Sequence, residues 1–258
     1  MRPAFDESFF GHLNQACLAE TGQPSRLYSF MERVIAITAI RGLLVVFERS
    51  ATIILTLPIP IYAMLVRLII GGARGLPSFA GVYLRALYYR GVIRKMESNV
   101  IIEQGVFIAF PENTTLKEFC FLDKNVIIMA KSVQIGRRVH IAPNVFISGG
   151  GAFRADDYSC IATGSQLITS TEILKGGARC SGPMVSADQR NVHRGQVVLE
   201  KDAFVGAGAT ILTDVVIAQG SVVGGGVTVA RSTEAWGVYA GTKPALIGMR
   251  EKVKHPDN

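Results

Sequence analysis

A repeat of six residues in the C-terminal half is the feature that most constrains how this chain can fold. Six successive hexads each begin with an apolar marker: Leu199, Val205, Ile211, Ile217, Val223 and Val229. An amphipathic helix would repeat its apolar face every 3.6 residues, and a simple strand every second residue. A period of six that persists over several units instead predicts a coiling chain with one short strand per hexad.

The same period occurs upstream. The markers there are Leu116, Leu122 and Ile128, then, after a slip of one residue, Ile135, Ile141, Ile147 and Phe153, and finally Ile161 and Leu167. The residue four after each C-terminal marker is small or β-branched: Ala203, Ala209, Val215, Ser221 and Val227. Such side chains fit a tightly packed inner wall. We therefore predict a parallel β-helix with three short strands per coil rather than an ordinary β-sandwich whose spacing arose by chance.

Four segments resemble the hexapeptide-repeat acyltransferases. These segments are HIAPNVFISGGG from His140, DYSCIATGSQLITST from Asp157, RNVHRGQVVLEKDAFVGAGATILTDVVI from Arg190 and WGVYAGTKPALIGMRE from Trp236. Within that family, the chain is most similar to acetyltransferases of sugar-nucleotide and surface-polysaccharide biosynthesis. The resemblance covers about residues 99–252. It implies a left-handed β-helix, a homotrimer and acetyl-CoA as the co-substrate.

The fold class we expect is mainly β, a left-handed parallel β-helix of hexapeptide repeats with an apolar helical segment before it. Residues 1–98 would form the helical, membrane-associated segment, and residues 99–237 the acyltransferase domain, interrupted by a loop at 168–197. Residues 238–258 would close the domain and form a tail. The four cysteines are far apart and lack paired spacing, so neither a disulfide framework nor a metal knuckle is expected.

The N-terminal segment contains long apolar stretches. Residues 34–47 are apolar except for Arg41, and residues 50–66 carry no charge, with Pro58 and Pro60 near the middle. Three interpretations stay open. The segment dips into one leaflet with a break at the prolines, it spans the bilayer, or it packs as helices on the β-helix or across a trimer interface without lipid.

The arginines of this region favour the first interpretation, because their side chains can reach the headgroup layer from a shallow position. They are Arg33, Arg41, Arg49, Arg67 and Arg74. We expect residues 30–75 to contact the membrane surface at the cytoplasmic face of the inner membrane. Residues 79–96 read as an amphipathic helix that caps the open end of the β-helix, or that forms a basic, aromatic collar at the membrane.

Acetyl transfer from a thioester to a hydroxyl or amine needs a base, and the chain has only four histidines. His12 precedes the apolar segment and His255 lies in a polar tail. His193 lies near the end of the longest interruption of the repeats, where a loop can carry a site, so it is our first candidate for the base. His140, inside a repeat, is the second. A carboxylate such as Glu172 or Asp188, or transfer to an already deprotonated amine, is the remaining alternative.

Coenzyme A would bind mainly through backbone groups exposed beside residues that lack bulk, namely Gly206, Ala207, Gly224 and Gly225. Lys243 and Arg250 would meet its phosphates. We expect no metal, because the histidines lack metal-ligand spacing. The formal net charge is +7, yet no basic run interleaves with aromatic residues, so no nucleic-acid partner is expected.

These features predict a bacterial acetyltransferase that moves an acetyl group from acetyl-CoA to a sugar in polysaccharide or glycoconjugate biosynthesis. The acceptor is left open between a polyprenyl-linked and a nucleotide-linked sugar, and between O- and N-acetylation. The alternative is a catalytically silent, membrane-bound scaffold of the same fold that recruits polysaccharide enzymes.

Overall fold

A computed structural model describes residues 3–21, 23–56, 79–173, 178, 184, 187–241 and 245–249. Within these residues, four α-helices precede a parallel β-solenoid. The helices are α1 (Glu7–Thr21), α2 (Arg26–Ala36), α3 (Thr38–Thr56) and α4 (Phe79–Val92). Several residues named above lie outside the described residues: Pro58, Pro60, Arg67, Arg74, Lys243, Arg250 and His255. So does one of the four cysteines, Cys180.

The strands of the solenoid form three parallel sheets, numbered here in the order in which the chain enters them. The first sheet contains β1 (Lys95–Met96), β4 (Thr114–Leu116), β7 (Ser132–Ile135), β10 (Ala152–Ala155), β15 (Gln196–Leu199) and β18 (Val216–Ile217). The second contains β2 (Ile101–Ile102), β5 (Phe121–Leu122), β8 (His140–Ile141), β11 (Cys160–Ile161), β16 (Phe204–Val205) and β19 (Val222–Val223). The third contains β3 (Phe107–Ile108), β6 (Ile127–Ile128), β9 (Phe146–Ser148), β12 (Gln166–Ile168), β17 (Thr210–Ile211) and β20 (Thr228–Val229).

The described chain therefore makes six complete turns of three strands. A further strand, β21 (Gly237–Ala240), extends the second sheet, and β22 (Ala245–Met249) pairs with it antiparallel. Two strands stand apart from the solenoid as an antiparallel hairpin: β13 (Ser170–Glu172) and β14 (Val192–Arg194). Two 3₁₀-helices span Pro111–Asn113 and Ala187–Gln189. The prediction of a left-handed parallel β-helix preceded by helices is confirmed.

The hexad markers point into the prism and fill its core. The following are at most 3% exposed: Leu116, Leu122, Ile128, Ile135, Ile141, Ile147, Phe153, Ile161, Leu167, Leu199, Val205, Ile211, Ile217, Val223 and Val229. The small residues at the intervening positions, such as Ala209 and Ser221, are equally buried. Burying a Val, Leu or Ile side chain contributes about 1.5–3 kcal/mol, so this stack of apolar rungs is the main source of the solenoid's stability.

Departures from the six-residue period fall at one corner of the prism, where the chain passes from the third sheet to the first. In each described turn, the last residue of a strand in the first sheet is six positions before the last inward-facing residue of the next strand in the second sheet. The same step of six leads from the second sheet to the third. At the third–first corner, Ile108 and Leu116 are eight apart, and Ile128 and Ile135 are seven apart. Leu167 precedes Leu199 by a much longer excursion that includes the hairpin.

Parallel register corrects one detail of the repeat. Phe153 continues the six-residue step from Ile147, but it pairs with Val133, while Ala155 takes the place opposite Ile135. Two extra residues at the glycine-rich corner, 149–151, displace the register, and Phe153 and Ala155 are both buried. The first sheet thus turns two side chains inward per strand at this level.

Helix α4 caps the open end of the solenoid, as the amphipathic pattern of residues 79–96 predicts. Tyr89 and Ile93 belong to the same buried cluster as the first rungs of the prism. The Tyr89 hydroxyl donates a hydrogen bond to the carbonyl oxygen of Val106 at 2.9 Å, and Arg85 Nε donates one to that of Ile102 at 2.8 Å. Among the described residues, no turn precedes the first one at this end of the solenoid, so these backbone carbonyls have no neighbouring strand there to pair with. Both bonds satisfy such carbonyls and fix the helix on the end of the prism.

A buried carboxylate joins the other helices to this cap. Glu48 of α3 accepts hydrogen bonds from the backbone N–H of Ala4 at 2.7 Å and from the Tyr83 hydroxyl at 2.9 Å. Arg90 of α4 lies 3.5 Å from the same carboxylate. Burial raises the pKa of Glu48 above its ordinary value, and the three partners oppose that shift because they stabilise the charged form.

Helices α2 and α3 leave a broad apolar surface uncovered by any other described part of the chain. We call it the apolar helix surface, and its most exposed members are Leu27, Phe30, Ile37, Leu43, Val46, Phe47, Ile53 and Ile54. On α3, Leu43, Phe47 and Ile54 recur at helical spacing, so they lie on one side of the helix. Among the described helices, none is long and apolar enough to cross a membrane.

Two glycines with positive φ allow the corner packing to be tested. Gly220 has a φ of 65°, and a Cβ there would collide with the Trp236 ring, whereas Gly208 has a φ of 67° and no atom within 4 Å of such a Cβ. We expect Gly208→Ala to cost about 1–2 kcal/mol from backbone strain alone. Gly220→Ala should cost more, because Trp236 must also move. Thermal unfolding of both variants measures the difference, and equal midpoints would contradict this packing account.

Candidate active site

The hairpin of β13 and β14 emerges at the third–first corner, between the fourth and fifth turns. Thr171 pairs with His193 across it, and Ser170 pairs with Arg194. At its base, the Thr169 hydroxyl donates to the carbonyl oxygen of Ser148 at 2.6 Å, which fixes the point where the chain leaves the prism. Glu172 accepts a hydrogen bond from Arg190 Nη2 at 2.8 Å near the outer end. The hairpin therefore carries His193 to a defined place beside the solenoid.

His193 meets an aspartate that sequence reasoning did not single out. Its Nε2 lies 2.5 Å from Oδ2 of Asp214, which occupies the same corner one turn further along. The other carboxylate oxygen of Asp214 accepts a hydrogen bond from the backbone N–H of Gln196 at 3.1 Å. A base oriented by a carboxylate that is itself held by the backbone is a recurring arrangement in acyl transfer. We call His193 and Asp214 the dyad.

The dyad is polarised by its own hydrogen bond. The bond from His193 lowers the pKa of the Asp214 carboxyl, and the bond from Gln196 adds to that effect. With Nε2 engaged by the carboxylate, Nδ1 is the ring nitrogen of His193 for which the described residues supply no hydrogen bond. The two side chains keep 44% and 52% of their surface exposed, so a substrate or a neighbouring subunit has access to them.

Asp214 offered only a weak signal in the sequence. It has a φ of 63°, and aspartate is one of the residues that adopt this left-handed conformation at turns. Its position therefore resembles an ordinary corner residue of the repeat. What sets Asp214 apart is its place one turn beyond the level at which the hairpin leaves the prism, and that place is defined only by the three-dimensional register.

His140, the second candidate, lies on the outer face of the second sheet and away from the hairpin. Its ring stacks on Phe121, with centroids 4.9 Å apart and planes 22° apart. Its Nε2 is 3.5 Å from Oδ2 of Asp123, within ion-pair distance, but it makes no hydrogen bond with the described residues. Cys160 pairs with His140 on the next turn. These contacts are those of a residue that packs on the face of a sheet.

The remaining candidates are separated from one another. Glu172 is engaged by Arg190, and Asp188 is exposed in the short 3₁₀-helix. Exposed His12 packs edge-on against Phe119, with ring centroids 6.0 Å apart, far along the chain from the hairpin. The described structure thus brings one histidine, His193, together with a carboxylate through a hydrogen bond.

The residues expected to meet coenzyme A occupy a different corner. Gly206, Ala207, Gly224 and Gly225 lie on the fifth and sixth turns, where the chain passes from the second sheet to the third. A Cβ on Gly206 would approach the backbone nitrogen of Gly225 to 2.6 Å, so close stacking of the two turns already requires glycine there. This corner is separated from the dyad by the width of the third sheet. Among the described residues no group of side chains could hold a metal ion.

Comparison with known proteins places the fold among acyltransferases. The family model "Bacterial transferase hexapeptide (six repeats)" matches residues 196–231, a stretch that includes Asp214. The chain is 28% identical over 145 residues to the dTDP-4-amino-4,6-dideoxy-D-glucose acyltransferase of Escherichia coli, covering 56% of this chain and 73% of that protein.

Solved structures give the same result. A point mutant of the Bacillus cereus N-acyltransferase AntD, in complex with dTDP and coenzyme A, is 26% identical and has a TM-score of 0.59, and the match covers 62% of this chain and 86% of AntD. A hexapeptide-repeat acetyltransferase of Vibrio cholerae shares the fold, with 15% identity and a TM-score of 0.51. The match covers 84% of this chain and 92% of the Vibrio cholerae chain. The predicted likeness to hexapeptide-repeat acyltransferases is confirmed, and the relatives agree with the predicted class, CoA-dependent acyl transfer to a sugar.

Proposed function

We propose that this protein transfers an acetyl group from acetyl-CoA to a hydroxyl or amine of a sugar, with His193 as the general base and Asp214 as the residue that positions it. The single observation that carries the proposal is the hydrogen bond between His193 Nε2 and Asp214. When the imidazole is neutral, this bond places its proton on Nε2, which donates to the carboxylate, and leaves the lone pair of Nδ1 to accept a proton.

The chemistry follows from that tautomer. Nδ1 removes a proton from the acceptor hydroxyl or neutral amine as the oxygen or nitrogen attacks the thioester carbonyl carbon. Asp214 then stabilises the imidazolium, as a carboxylate does in other His-based acyl transfers. Collapse of the tetrahedral intermediate breaks the carbon–sulfur bond, and the proton held by His193 passes to the departing sulfur. The products are the acetylated sugar and free coenzyme A, with His193 neutral again.

The relatives support the kind of acceptor. The Escherichia coli protein is named for a nucleotide-linked amino sugar, and AntD is an N-acyltransferase in complex with dTDP and coenzyme A. A sugar carried on a diphosphate is therefore the acceptor class that we propose here, in bacterial polysaccharide or glycoconjugate biosynthesis. Gly206, Ala207, Gly224 and Gly225 stay our candidates for contact with coenzyme A, with Lys243 and Arg250 for its phosphates.

Replacing the dyad tests the mechanism. We expect His193→Ala to lower kcat for release of free thiol from acetyl-CoA by about 10²- to 10⁴-fold, the usual contribution of a general base, while coenzyme A still binds. Asp214→Asn should also lower kcat and change the pH profile, and Asp214→Glu should restore part of the rate. Lys201→Ala, at another corner of the prism, is the matched control.

The outcomes separate the candidates. A loss of turnover in His140→Ala with unchanged turnover in His193→Ala would transfer the role to His140. Failure of the wild-type chain to bind coenzyme A or release thiol with any acceptor would favour the silent scaffold.

We propose that the enzyme is a homotrimer. Phe107, Ile127 and Phe146 form an exposed apolar row on the outer face of the third sheet, and each is 37–39% exposed in the single chain. The third sheet also separates the dyad from the second–third corner. Packing chains side by side would bury the apolar row and bring that corner of one chain toward the dyad of the next, with the site between subunits.

Solution mass tests this assembly. We expect light scattering to give about three times the chain mass of 27.8 kDa. Ile127→Lys combined with Phe146→Lys should shift the particle toward one chain, because two charges would enter an apolar contact. Gln134→Lys, on the outer face of the first sheet, is the control. A monomeric wild-type protein would contradict the proposal.

We propose further that the apolar helix surface rests on the membrane at the cytoplasmic face of the inner membrane. Exposed basic side chains accompany the apolar ones, including Arg26, Arg33 and Arg49. That combination suits a helix pair lying in the headgroup layer of an anionic bilayer. It agrees with the expectation that residues 30–75 contact the membrane.

Vesicle flotation tests the membrane contact. The wild-type protein should float with vesicles that contain anionic phospholipid, and Leu43→Asp with Phe47→Asp should lower the bound fraction about tenfold or more, because two apolar side chains no longer insert. Leu246→Asp, an exposed apolar residue on β22, is the control. Equal flotation of the double variant and the wild type would show that this surface does not hold the membrane.

A further inference from the structure

A basic groove runs along the third–first corner, from the helical cap toward the hairpin. Its cationic side chains are Arg94 after α4, Lys131 between the second and third turns and Arg194 on β14. The groove encloses about 440 Å³, and Asn113 and the glycines at 150 and 151 complete its wall. We call it the corner groove.

Among the residues that the structure describes, none offsets the charges of the corner groove. No described acidic residue lines it, and Arg94, Lys131 and Arg194 make no ion pair with any of them. By contrast, Arg137 at another corner of the prism is paired with Asp157 at 3.8 Å. Three cations that line one cavity, with no carboxylate partner in the described part of the chain, create a positive potential that attracts an anionic ligand.

The groove lies where the repeat is interrupted. Extra residues enter the solenoid only at the third–first corner among the described turns, and they include Asn113, Lys131 and the glycines at 150–151. Successive turns are about 4.8 Å apart, so the Lys131 and Arg194 levels are about 10 Å apart along the corner. Side chains of this length can converge on one diphosphate across that distance.

A second cavity lies next to the groove on the side of the helices, and its lining combines apolar walls with the charged side chains of Glu48, Arg49, Arg90 and Lys95. This second cavity, of about 320 Å³, lies between α3, α4 and β1, and Arg94 lines both cavities. Val45, Ile53, Ile93 and Met96 contribute apolar walls. Ile53 is also part of the apolar helix surface, so an apolar chain that leaves this pocket would emerge where we place the membrane.

We propose that the corner groove binds the diphosphate of a lipid-linked sugar, with the lipid directed along the pocket of α3 and α4. This inference rests on the proposed acetyl transfer to a sugar, and it names the acceptor class. Neighbouring residues of a strand point to opposite faces, so Arg194 holds the diphosphate on one side of β14 and His193 lies on the other. The sugar then passes over the edge of β14 to reach the dyad.

Calorimetry of the full-length protein with small probes tests the inference without turnover. The probes are farnesyl diphosphate below its critical micelle concentration, inorganic pyrophosphate, dTDP and farnesol. We expect farnesyl diphosphate to bind about tenfold tighter than pyrophosphate, and farnesol not to bind measurably. Lys131→Ala and Arg194→Ala should each weaken farnesyl diphosphate binding about tenfold, because each removes a charge-assisted hydrogen bond. Lys124→Ala, an exposed lysine at the second–third corner, is the matched control.

Each other outcome contradicts a named part of the proposal. Unchanged affinity in both groove variants would place the ligand elsewhere, and tighter binding of dTDP than of farnesyl diphosphate would overturn the lipid assignment. Coenzyme A binding to the same variants shows that they are folded. Two results separate the groove proposal from the proposed acetyl transfer. If the groove variants keep their turnover and their KM for the acceptor, only the groove proposal is wrong. If the wild type does not bind coenzyme A, the proposed enzyme activity is wrong.

Discussion

Hydrogen bonding between stacked turns is the constraint on which the rest of this structure depends. Each turn pairs in parallel with the next, so residues about 18 to 20 positions apart lie above one another, as His140 lies above Phe121 and Cys160 above His140. Across the hairpin the paired residues are 44 positions apart, as Cys160 and Phe204 are. The inward positions must be apolar at every level because they share one narrow core. Variation is therefore confined to outward side chains, to the corners and to the two ends of the prism.

Most of this variation occurs at the third–first corner. The other two corners keep the six-residue step in each described turn, while this corner admits extra residues on three successive levels and the hairpin on the fourth. Returning to the regular step at Ile211 and Ile217 places Asp214 directly below the hairpin, where it meets His193. The dyad and the corner groove thus have one physical origin, because an insertion can leave a stacked coil without breaking its core only at a corner.

The sequence predicted the features that depend on the repeat. The stride identified the inward residues, the coiled architecture and the cap by residues 79–96, because each depends on local spacing and on the need to bury apolar surface. It misplaced Phe153, since a two-residue insertion between glycines preserves the apparent stride while it shifts the pairing. It missed Asp214 as the partner of His193, and it missed that Lys131 and Arg194 line one groove. Both depend on which corner the chain uses at each level, and that is a property of the register.

Release of free thiol from acetyl-CoA by the wild-type protein is the most direct test of the account. The protein would be held in nanodiscs and offered nucleotide-linked sugars in one series and polyprenyl-diphosphate-linked sugars in another, with acceptor-free reactions as the baseline. The account predicts release that depends on a sugar acceptor and is faster with the lipid-linked series. Absence of acceptor-dependent release in both series, from protein that binds coenzyme A and has the mass of a trimer, would contradict the assignment of an acetyltransferase.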